Sequence, residues 1–466
     1  MKQRVDFHLL NSKPNIAYHP GSNNFLCLNS VDAGLIQDTE KAWDPFSRNE
    51  MPIIDEFAYG ELRSRLLEKL GETEASMAII QSAYFTPHSL SKLVLLVSHG
   101  CNMGCSYCFH EKLNQEQDYM TPEVACRAIQ SFLDHYSGHI STIFFFGGEP
   151  LLNWKTIQAA VEFTIRHCKE HQIDTPRFAI QTNGTVMDAK KASYLKEHNF
   201  LVTISLDGPP VVNDKQRLLL NGRGTYDKVE RSISLLIEHG IQFNVEATVT
   251  KLHVELGISI REVFDHLIEM GAYCVHIMPV TGSSPTIQLS EDVVEDVVSQ
   301  FRAVAEHSVS SFTTENPKRL QYALYIIDNL ITGVKKHICY AGTGTTTVKA
   351  DGNIFPCYFL TSDKLLMGNI YNEQLSGRQY QEIQSLMATH TKEDIWPCKA
   401  CWARNLCNAC YGAQSSTEKR LLAPVAEVCL MQRGMIDAAL GKLIEISHFP
   451  DKWNKLMHNF ANEFLV

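Results

Sequence analysis

Three closely spaced cysteines are the residues of this chain whose chemistry is most readily named. Cys101, Cys105 and Cys108 follow the apolar run 93–97 with the spacing C-x3-C-x2-C. Thiolates are the usual protein ligands of iron–sulfur clusters, and a cubane cluster has four irons. Three cysteines would therefore leave one iron open for chemistry, as the open position on a catalytic zinc does. The spacing alone also allows a zinc site or a set of buried thiols.

A second motif follows another apolar run. Three phenylalanines, 144–146, lead into Gly147, Gly148 and Glu149, and a proline comes next. Together with the three cysteines, this motif resembles the radical S-adenosylmethionine (SAM) superfamily. The resemblance implies that the open iron binds the methionine part of SAM and that reductive cleavage yields a 5′-deoxyadenosyl radical. It also implies that Gly147 and Gly148 let the main chain approach the methionine, whose ammonium group donates to Glu149.

Cysteines become frequent again from Cys339 onward. The three cysteines at 398–407 have the spacing C-x2-C-x5-C, which alone suits zinc or iron equally. Behind a radical SAM motif, seven cysteines in this order resemble the SPASM domain, which holds two auxiliary [4Fe–4S] clusters. The resemblance assigns four ligands to a distal cluster and three to a cluster nearer the SAM-binding domain. The distal set is Cys398, Cys401, Cys407 and Cys429, and the nearer set is Cys339, Cys357 and Cys410.

The chain departs from the SPASM pattern at two points. Sulfatase maturases have a further cysteine shortly before the position of Cys339, but none occurs between Tyr322 and His337. We therefore expect the nearer cluster to keep an open iron or to take a ligand other than cysteine. Two residues separate Cys407 from Cys410, where the family usually has three. The resemblance implies three [4Fe–4S] clusters and SAM as cofactors, and the remaining cysteines receive no role.

Apolar runs alternate with helical patterns over residues 91–310. The runs with strand character end near Ser98, Phe146, Thr182, Ser205, Thr248 and Pro279. Six units of this kind predict an α/β fold with a parallel, partly closed (β/α)6 barrel of the TIM type. Such barrels carry their chemistry at the C-terminal ends of the strands. Both motifs described above stand at such ends, as the predicted fold requires.

Two further residues at strand ends are candidates for binding SAM. In the resembling family, the position that matches Ser205 contacts the ribose of SAM. The same resemblance adds Asn183 to the cofactor-binding residues. For Asn183 a turn remains the alternative, because Asn-Gly is a turn-forming pair on any fold.

The chain divides into five predicted segments. They are an N-terminal domain (1–90), the radical SAM barrel (91–310), a helical connection (311–338), the SPASM domain (339–430) and C-terminal helices (431–466). A hairpin signal at Pro20–Asn24 and an amphipathic helix over 61–70 resemble the leader-peptide recognition modules of radical SAM peptide maturases. An exposed strand edge there could take a peptide as an added strand. A packing or dimerisation domain is the alternative.

Composition limits the partners and the location. The net charge is −10 and no block of Lys or Arg stands out, which argues against a nucleic-acid partner. The N-terminus lacks the apolar core of a signal peptide. No apolar run approaches the roughly 18–20 residues that span a bilayer. Fourteen cysteines without a secretion signal indicate metal or cluster ligands in a cytoplasmic protein.

The predicted reaction is an oxidation that begins with removal of a hydrogen atom. The motif Cys-x2-Cys-Trp-Ala-Arg-x2-Cys at 398–407 most resembles maturases that cross-link ribosomally made peptides through a thioether or an aromatic-to-carbon bond. The expected partners are a precursor peptide or protein and a reducing donor such as flavodoxin or ferredoxin. One alternative is a sulfatase maturase that oxidises cysteine or serine to formylglycine. Another, of a different class, is a non-catalytic iron–sulfur carrier or zinc protein.

Overall fold

The computed structural model of the chain consists of two compact units. The flanking unit combines Met1–Tyr84, Glu291–Cys339 and His390–Val466, and the barrel unit combines Phe85–Ser290 and Tyr340–Thr389. The structure describes residues 8–10, 13–19, 24–28, 33, 36–37, 89–108, 119–281, 289, 291–332, 337–372, 375–410 and 425–463. The helix predicted over 61–70 lies outside these residues.

The secondary-structure elements of the described residues are as follows in chain order. The strands are β1 (His8–Leu10), β2 (Lys13–His19), β3 (Asn24–Cys27), β4 (Leu90–Ser98), β5 (Ile140–Gly147), β6 (Arg177–Thr182), β7 (Leu201–Ser205), β8 (Phe243–Val249), β9 (Cys274–Pro279), β10 (Arg319–Leu320), β11 (Thr345–Val348), β12 (Asn353–Phe355) and β13 (Gly368–Asn369). The helices are α1 (Pro122–His135), α2 (Trp154–His171), α3 (Ala189–Glu197), α4 (Pro210–Gln216), α5 (Tyr226–Glu238), α6 (Lys251–Glu255), α7 (Ile260–Glu269), α8 (Glu291–Ser311), α9 (Gln321–Thr332), α10 (Arg378–Thr389), α11 (Ala426–Ser447) and α12 (Pro450–Glu463).

A parallel sheet forms the centre of the barrel unit. Strands β4 to β9 pair in chain order, each with the next, and every one of these pairs is parallel. On the other side of β4, β11 joins in parallel, and β12 and β13 follow in antiparallel orientation. At least one helix connects each strand from β4 to β8 with the next, which is the βα repeat of a TIM-like barrel. The predicted α/β fold is therefore confirmed.

Local sequence signals explain where the barrel helices begin. The Thr121 side chain accepts a hydrogen bond from the Val124 amide at 3.3 Å, and Pro122 occupies the first turn of α1. At the start of α7, the Ser259 hydroxyl accepts from the Glu262 amide at 3.1 Å. The Glu262 carboxylate in turn accepts from the Ser259 amide at 2.8 Å, which completes a capping box. Both helices then bury an apolar face.

The N-terminal strands of the flanking unit pack on its C-terminal segments. Strands β1, β2 and β3 form an antiparallel sheet in that order. The His8 ring stacks on the Trp402 ring with a centroid distance of 3.4 Å, and its Nε2 lies 3.3 Å from Asp437 Oδ1 on α11. The other Asp437 oxygen accepts a hydrogen bond from Arg302 on α8 at 2.6 Å. These contacts attach the small N-terminal sheet to the segments that carry the last cysteines.

Helices α11 and α12 form the C-terminal end of the described residues, and the predicted segment bounds of 431–466 stay a prediction. Helix α11 starts earlier, at Ala426, so Cys429 lies in its first turn. The Cys429 amide donates to the Val425 carbonyl at 3.0 Å, which holds this turn. Among the described helices, none combines the length and the apolar character that a membrane span needs.

Candidate active site

The loop that carries the first three cysteines starts where β4 ends. We call residues 98–108 the cluster loop. The Gly104 amide donates to the Leu218 carbonyl at 2.8 Å, and the Ser106 amide donates to the Gln216 carbonyl at 2.9 Å. The C-terminal end of α4 and the residues after it therefore hold the middle of the cluster loop through the main chain.

The three cysteines of the cluster loop, Cys101, Cys105 and Cys108, are all half-buried. Burial raises the pKa of Cys101 to about 12 and that of Cys105 to about 11, because a thiolate loses hydration there. Such thiols act as thiolate ligands only where a cation offsets the lost hydration, and metal ions do so. The donor set therefore fits an iron–sulfur cluster.

Gly147 and Gly148 lie where β5 ends against the cluster loop. Gly147 has a φ of +139°, and a Cβ there would lie 2.0 Å from the Ser98 carbonyl oxygen. A Cβ on Gly148 would lie 2.4 Å from the Gly100 carbonyl oxygen. Only glycine permits this approach of two backbones. The pair thus has a packing role, and its predicted contact with SAM stays a prediction.

Glu149 is fully buried and joins the ends of two strands. Its Oε1 accepts hydrogen bonds from the Thr182 hydroxyl at 2.5 Å and the Leu151 amide at 2.9 Å. Its Oε2 accepts from the Asn183 amide at 2.7 Å. Burial raises the pKa of Glu149 to about 7, against the effect of these hydrogen bonds. Both oxygens already have partners, and the predicted hydrogen bond to the SAM ammonium group stays a prediction.

Asn183 contacts the cluster loop directly. Its Nδ2 lies 3.7 Å from Cys101 Sγ and donates to Asn102 Oδ1 at 3.0 Å. Its Oδ1 accepts from the Thr185 amide at 2.9 Å, which is the turn interaction that an Asn-Gly sequence predicts. One side chain therefore stabilises the turn after β6 and contacts a predicted cluster ligand.

The sequence reasoning missed a buried network around Asp207. Its Oδ2 accepts hydrogen bonds from the Tyr107 hydroxyl at 2.6 Å and from Gln216 Nε2 at 2.5 Å. Its Oδ1 accepts from the Thr248 amide at 2.9 Å and lies 3.0 Å from Arg217 Nε. The Arg217 guanidinium also lies over the Tyr107 ring, 5.5 Å from its centroid. The network attaches the cluster loop to the ends of β7 and β8.

A polar patch lies beside Ser205 on one face of the parallel sheet. Ser205 on β7 pairs in register with Glu246 on β8, which pairs with His276 on β9. His276 Nδ1 lies 3.6 Å from Glu246 Oε2, and both side chains are partly exposed. Burial opposes ionisation of Glu246, but the hydrogen bond and charge of His276 lower its pKa overall. The sequence reasoning missed this pair, although its two members occupy corresponding positions on neighbouring strands.

The four cysteines predicted to hold the distal cluster, Cys398, Cys401, Cys407 and Cys429, line one pocket of the flanking unit. Burial raises the pKa of Cys398 to about 12, and the nearby thiolates of Cys407 and Cys401 contribute to the rise. Burial is the largest cause that raises the pKa of Cys429, and the nearby thiolates of Cys407, Cys401 and Cys398 raise it further. Four thiolates that repel one another in a buried pocket need bound cations, which fits an iron–sulfur cluster.

The three cysteines of the predicted nearer set are half-buried in different units. Cys339 and Cys410 belong to the flanking unit, and Cys357 belongs to the barrel unit. Within the described part of the chain, no three His, Cys, Asp or Glu side chains are placed to hold a single metal ion. A cubane distributes its ligands over separate irons. The assignment of the nearer set to one cluster stays a prediction.

Two protein families match parts of this chain. The Radical SAM superfamily matches residues 95–269, and the SPASM iron–sulfur cluster-binding domain matches residues 339–402. The first range contains the cluster loop and its surroundings up to α7, and the second contains Cys339, Cys357, Cys398 and Cys401.

Similar proteins cover most of the chain. The cysteine-type anaerobic sulfatase-maturating enzyme of Clostridium perfringens (strain 13 / Type A) is 26% identical over 380 residues, which are 77% of this chain and 98% of the relative. The solved structure of native anSMEcpe with bound AdoMet has a TM-score of 0.65 at 23% identity and covers 77% of this chain and 99% of that chain. Streptococcus suis SuiB bound to S-adenosylmethionine has a TM-score of 0.50 at 17% identity and covers 90% of this chain and 96% of that chain. The two structural similarities support the fold alone.

Proposed function

We propose that this chain, a radical SAM enzyme with a SPASM iron–sulfur domain, oxidises a residue of a peptide or protein substrate. The observation that carries the proposal is the similarity to a cysteine-type anaerobic sulfatase-maturating enzyme over 77% of the chain and 98% of that relative. The four cysteines of the predicted distal set support it, because they line one pocket of the flanking unit.

The chain's own residues would hold the cofactors as follows. Cys101, Cys105 and Cys108 would bind a [4Fe–4S] cluster, and Gly147, Gly148, Glu149, Asn183 and Ser205 would surround the SAM. The reduced cluster with bound SAM supplies a 5′-deoxyadenosyl radical, which can take a hydrogen atom from an unactivated carbon. The ten assigned cysteines would hold three clusters, two of them auxiliary.

The second half of the oxidation removes one electron and one proton from the substrate. A SPASM cluster would take the electron. For the proton, the site described above contains three carboxylates, those of Glu149, Asp207 and Glu246. Glu149 and Asp207 are fully buried and occupied by several donors, whereas the Glu246 side chain is 30% exposed. We assign the role of proton acceptor to Glu246, and His276 lies next to its carboxylate.

We expect Glu246→Gln to lower product formation by about 100-fold or more, the usual contribution of a general base. Glutamine keeps the shape and removes the proton-accepting carboxylate, so cleavage of SAM should continue without product. Product by mass spectrometry and 5′-deoxyadenosine by chromatography separate the two steps. Glu255→Gln is the matched control, because that carboxylate lies on α6 and is more than half exposed. Equal product formation by Glu246→Gln and wild type would contradict this role.

Two products are compatible with this oxidation. Oxidation of a cysteine or serine to formylglycine is favoured by the similarity to the cysteine-type anaerobic sulfatase-maturating enzyme. A cross-link is favoured by the antiparallel sheet β1–β2–β3, whose outer strand β3 pairs with β2 alone among the described strands. Such an edge can take a peptide as an added strand.

Incubation with SAM, a strong reductant and a cysteine peptide tests the proposal. The Cp18Cys peptide, which occupies a solved structure of native anSMEcpe, is the first probe, and a cysteine-containing peptide encoded beside this gene is the second. An aldehyde that reacts with hydrazide reagents identifies formylglycine. Loss of two hydrogens without an aldehyde identifies a cross-link. If neither peptide is oxidised while 5′-deoxyadenosine accumulates, the proposal is wrong.

A further inference from the structure

Cationic side chains line the pocket of the four distal cysteines. Lys392 and Arg404 are 2% and 3% exposed, and Arg433 belongs to the same pocket wall. Buried cations are costly unless an anion or several acceptors compensate them. Glu393 approaches Arg404 only to 3.9 Å, and its own side chain is 45% exposed. The pocket therefore brings buried positive charge to the wall that carries the four predicted cluster ligands.

The contacts of the two buried cations are directed at the loop that carries the ligands. Lys392 Nζ donates to the carbonyl oxygens of Arg404 and Cys407, the latter at 2.8 Å. Arg404 Nη1 donates to the Cys401 carbonyl oxygen at 3.1 Å. Both side chains are thus fixed next to predicted cluster ligands. Hydrogen bonds therefore hold their positive charges at the loop that carries these ligands.

A cubane cluster with four thiolate ligands carries a net negative charge, and that charge grows by one on reduction. Fixed positive charges at short distance stabilise the more negative state, and the effect is large where water is excluded. Hydrogen bonding and charge around a cluster are among the factors that set its reduction potential. Lys392 and Arg404 meet both conditions, because they are buried and held at the ligand loop.

We propose that Lys392 and Arg404 raise the reduction potential of the cluster that the four distal cysteines would hold. A raised potential would favour this cluster as an acceptor of the electron that the substrate loses, a use that rests on the proposed function. The effect on the potential is a property of the protein without any substrate.

The test is a potentiometric titration of reconstituted full-length protein followed by electron paramagnetic resonance. Addition of SAM alters the signal of the SAM-binding cluster and so distinguishes it from the auxiliary ones. We expect Lys392→Met to shift the equilibrium of one auxiliary cluster at least tenfold toward the oxidised form, which is about 59 mV for one electron. Iron content should stay at the wild-type value.

Two control variants separate charge from structure. Lys399→Met removes an exposed positive charge next to Cys398 and should leave the potential unchanged. Lys392→Arg keeps the charge and should restore most of the potential that Lys392→Met loses. A role in loop structure alone would instead lower the iron content in both Lys392 variants without a shift in the remaining cluster.

An unchanged potential in Lys392→Met with full iron content overturns the proposal. If Lys392→Met loses the cluster, Arg404→Met decides, because Arg404 is the second buried cation of the proposal. A shift in that variant supports the proposal, and no shift overturns it. Since the titration contains no peptide, its outcome is independent of whether the chain oxidises the Cp18Cys peptide.

Discussion

Replacing Cys101, Cys105 and Cys108 together with alanine should abolish the reductive cleavage of SAM. The three thiols are the predicted ligands of the cluster that delivers the electron, and without them neither the electron nor the open iron is available. Formation of 5′-deoxyadenosine under strong reductant measures the effect. Formation of 5′-deoxyadenosine should fall below the detection limit, and a higher concentration of SAM should not restore it.

The iron content identifies which cluster is lost. We expect the triple variant to lose roughly four irons per chain, the content of one cubane, while the auxiliary clusters remain. Cys126→Ala is the control, because Cys126 is a half-buried thiol of α1 whose Sγ lies 3.8 Å from the Ala159 carbonyl oxygen. Continued production of 5′-deoxyadenosine by the triple variant would refute the assignment of the cluster loop.

The sequence predicted the parallel barrel well because strands such as β4 and β5 are short, mostly apolar runs. The runs predicted to end near Phe146, Thr182 and Ser205 end within one residue of those positions in the structure. Burial on both faces requires an apolar run, and glycine or a turn pair marks its end. These signals are local, so they can be recognised without knowledge of the neighbouring strands.

The contacts that support the cluster loop could not be predicted in the same way. Arg217 follows Asp207 by ten residues, and only the path of α4 brings the two side chains together. Glu246 and His276 belong to different strands, and their proximity depends on the register between β8 and β9. Residues that are distant in sequence follow no fixed spacing when they form a pair. A charged residue seen in a sequence also gives no indication of whether its side chain is buried.

The same limit applies to the motif residues. The resemblance assigns Gly147 and Glu149 to SAM, but it gives no information on what else they contact. In the structure, Gly147 packs against Ser98, and Glu149 joins β5 to β6. A motif residue can therefore be required for folding of the site as well as for binding, and experiments on either residue need both readouts.

Breaking the buried ion pair between Asp207 and Arg217 should have the second large effect. Asp207 is fully buried and Arg217 nearly so, and removal of one partner leaves the other charge uncompensated. We expect Asp207→Asn and Arg217→Met each to lower the free energy of unfolding by about 3–5 kcal/mol. Anaerobic urea unfolding of the reconstituted protein measures this change. The cluster loop should also lose iron, because Tyr107 loses an acceptor or a stacked cation.

The double variant Asp207→Asn/Arg217→Met tests whether the two residues act as a pair. It removes both charges, so it should cost clearly less than the sum of the single variants. The exposed pair of Lys251 and Glu255, whose charged atoms lie 3.2 Å apart on α6, provides a control double-mutant cycle. That pair should contribute no more than about 1 kcal/mol, because water screens it. If both cycles give equally small couplings, Asp207 and Arg217 do not hold the cluster loop. The hydrogen bonds from the Gly104 and Ser106 amides to the Leu218 and Gln216 carbonyls would then be its main support.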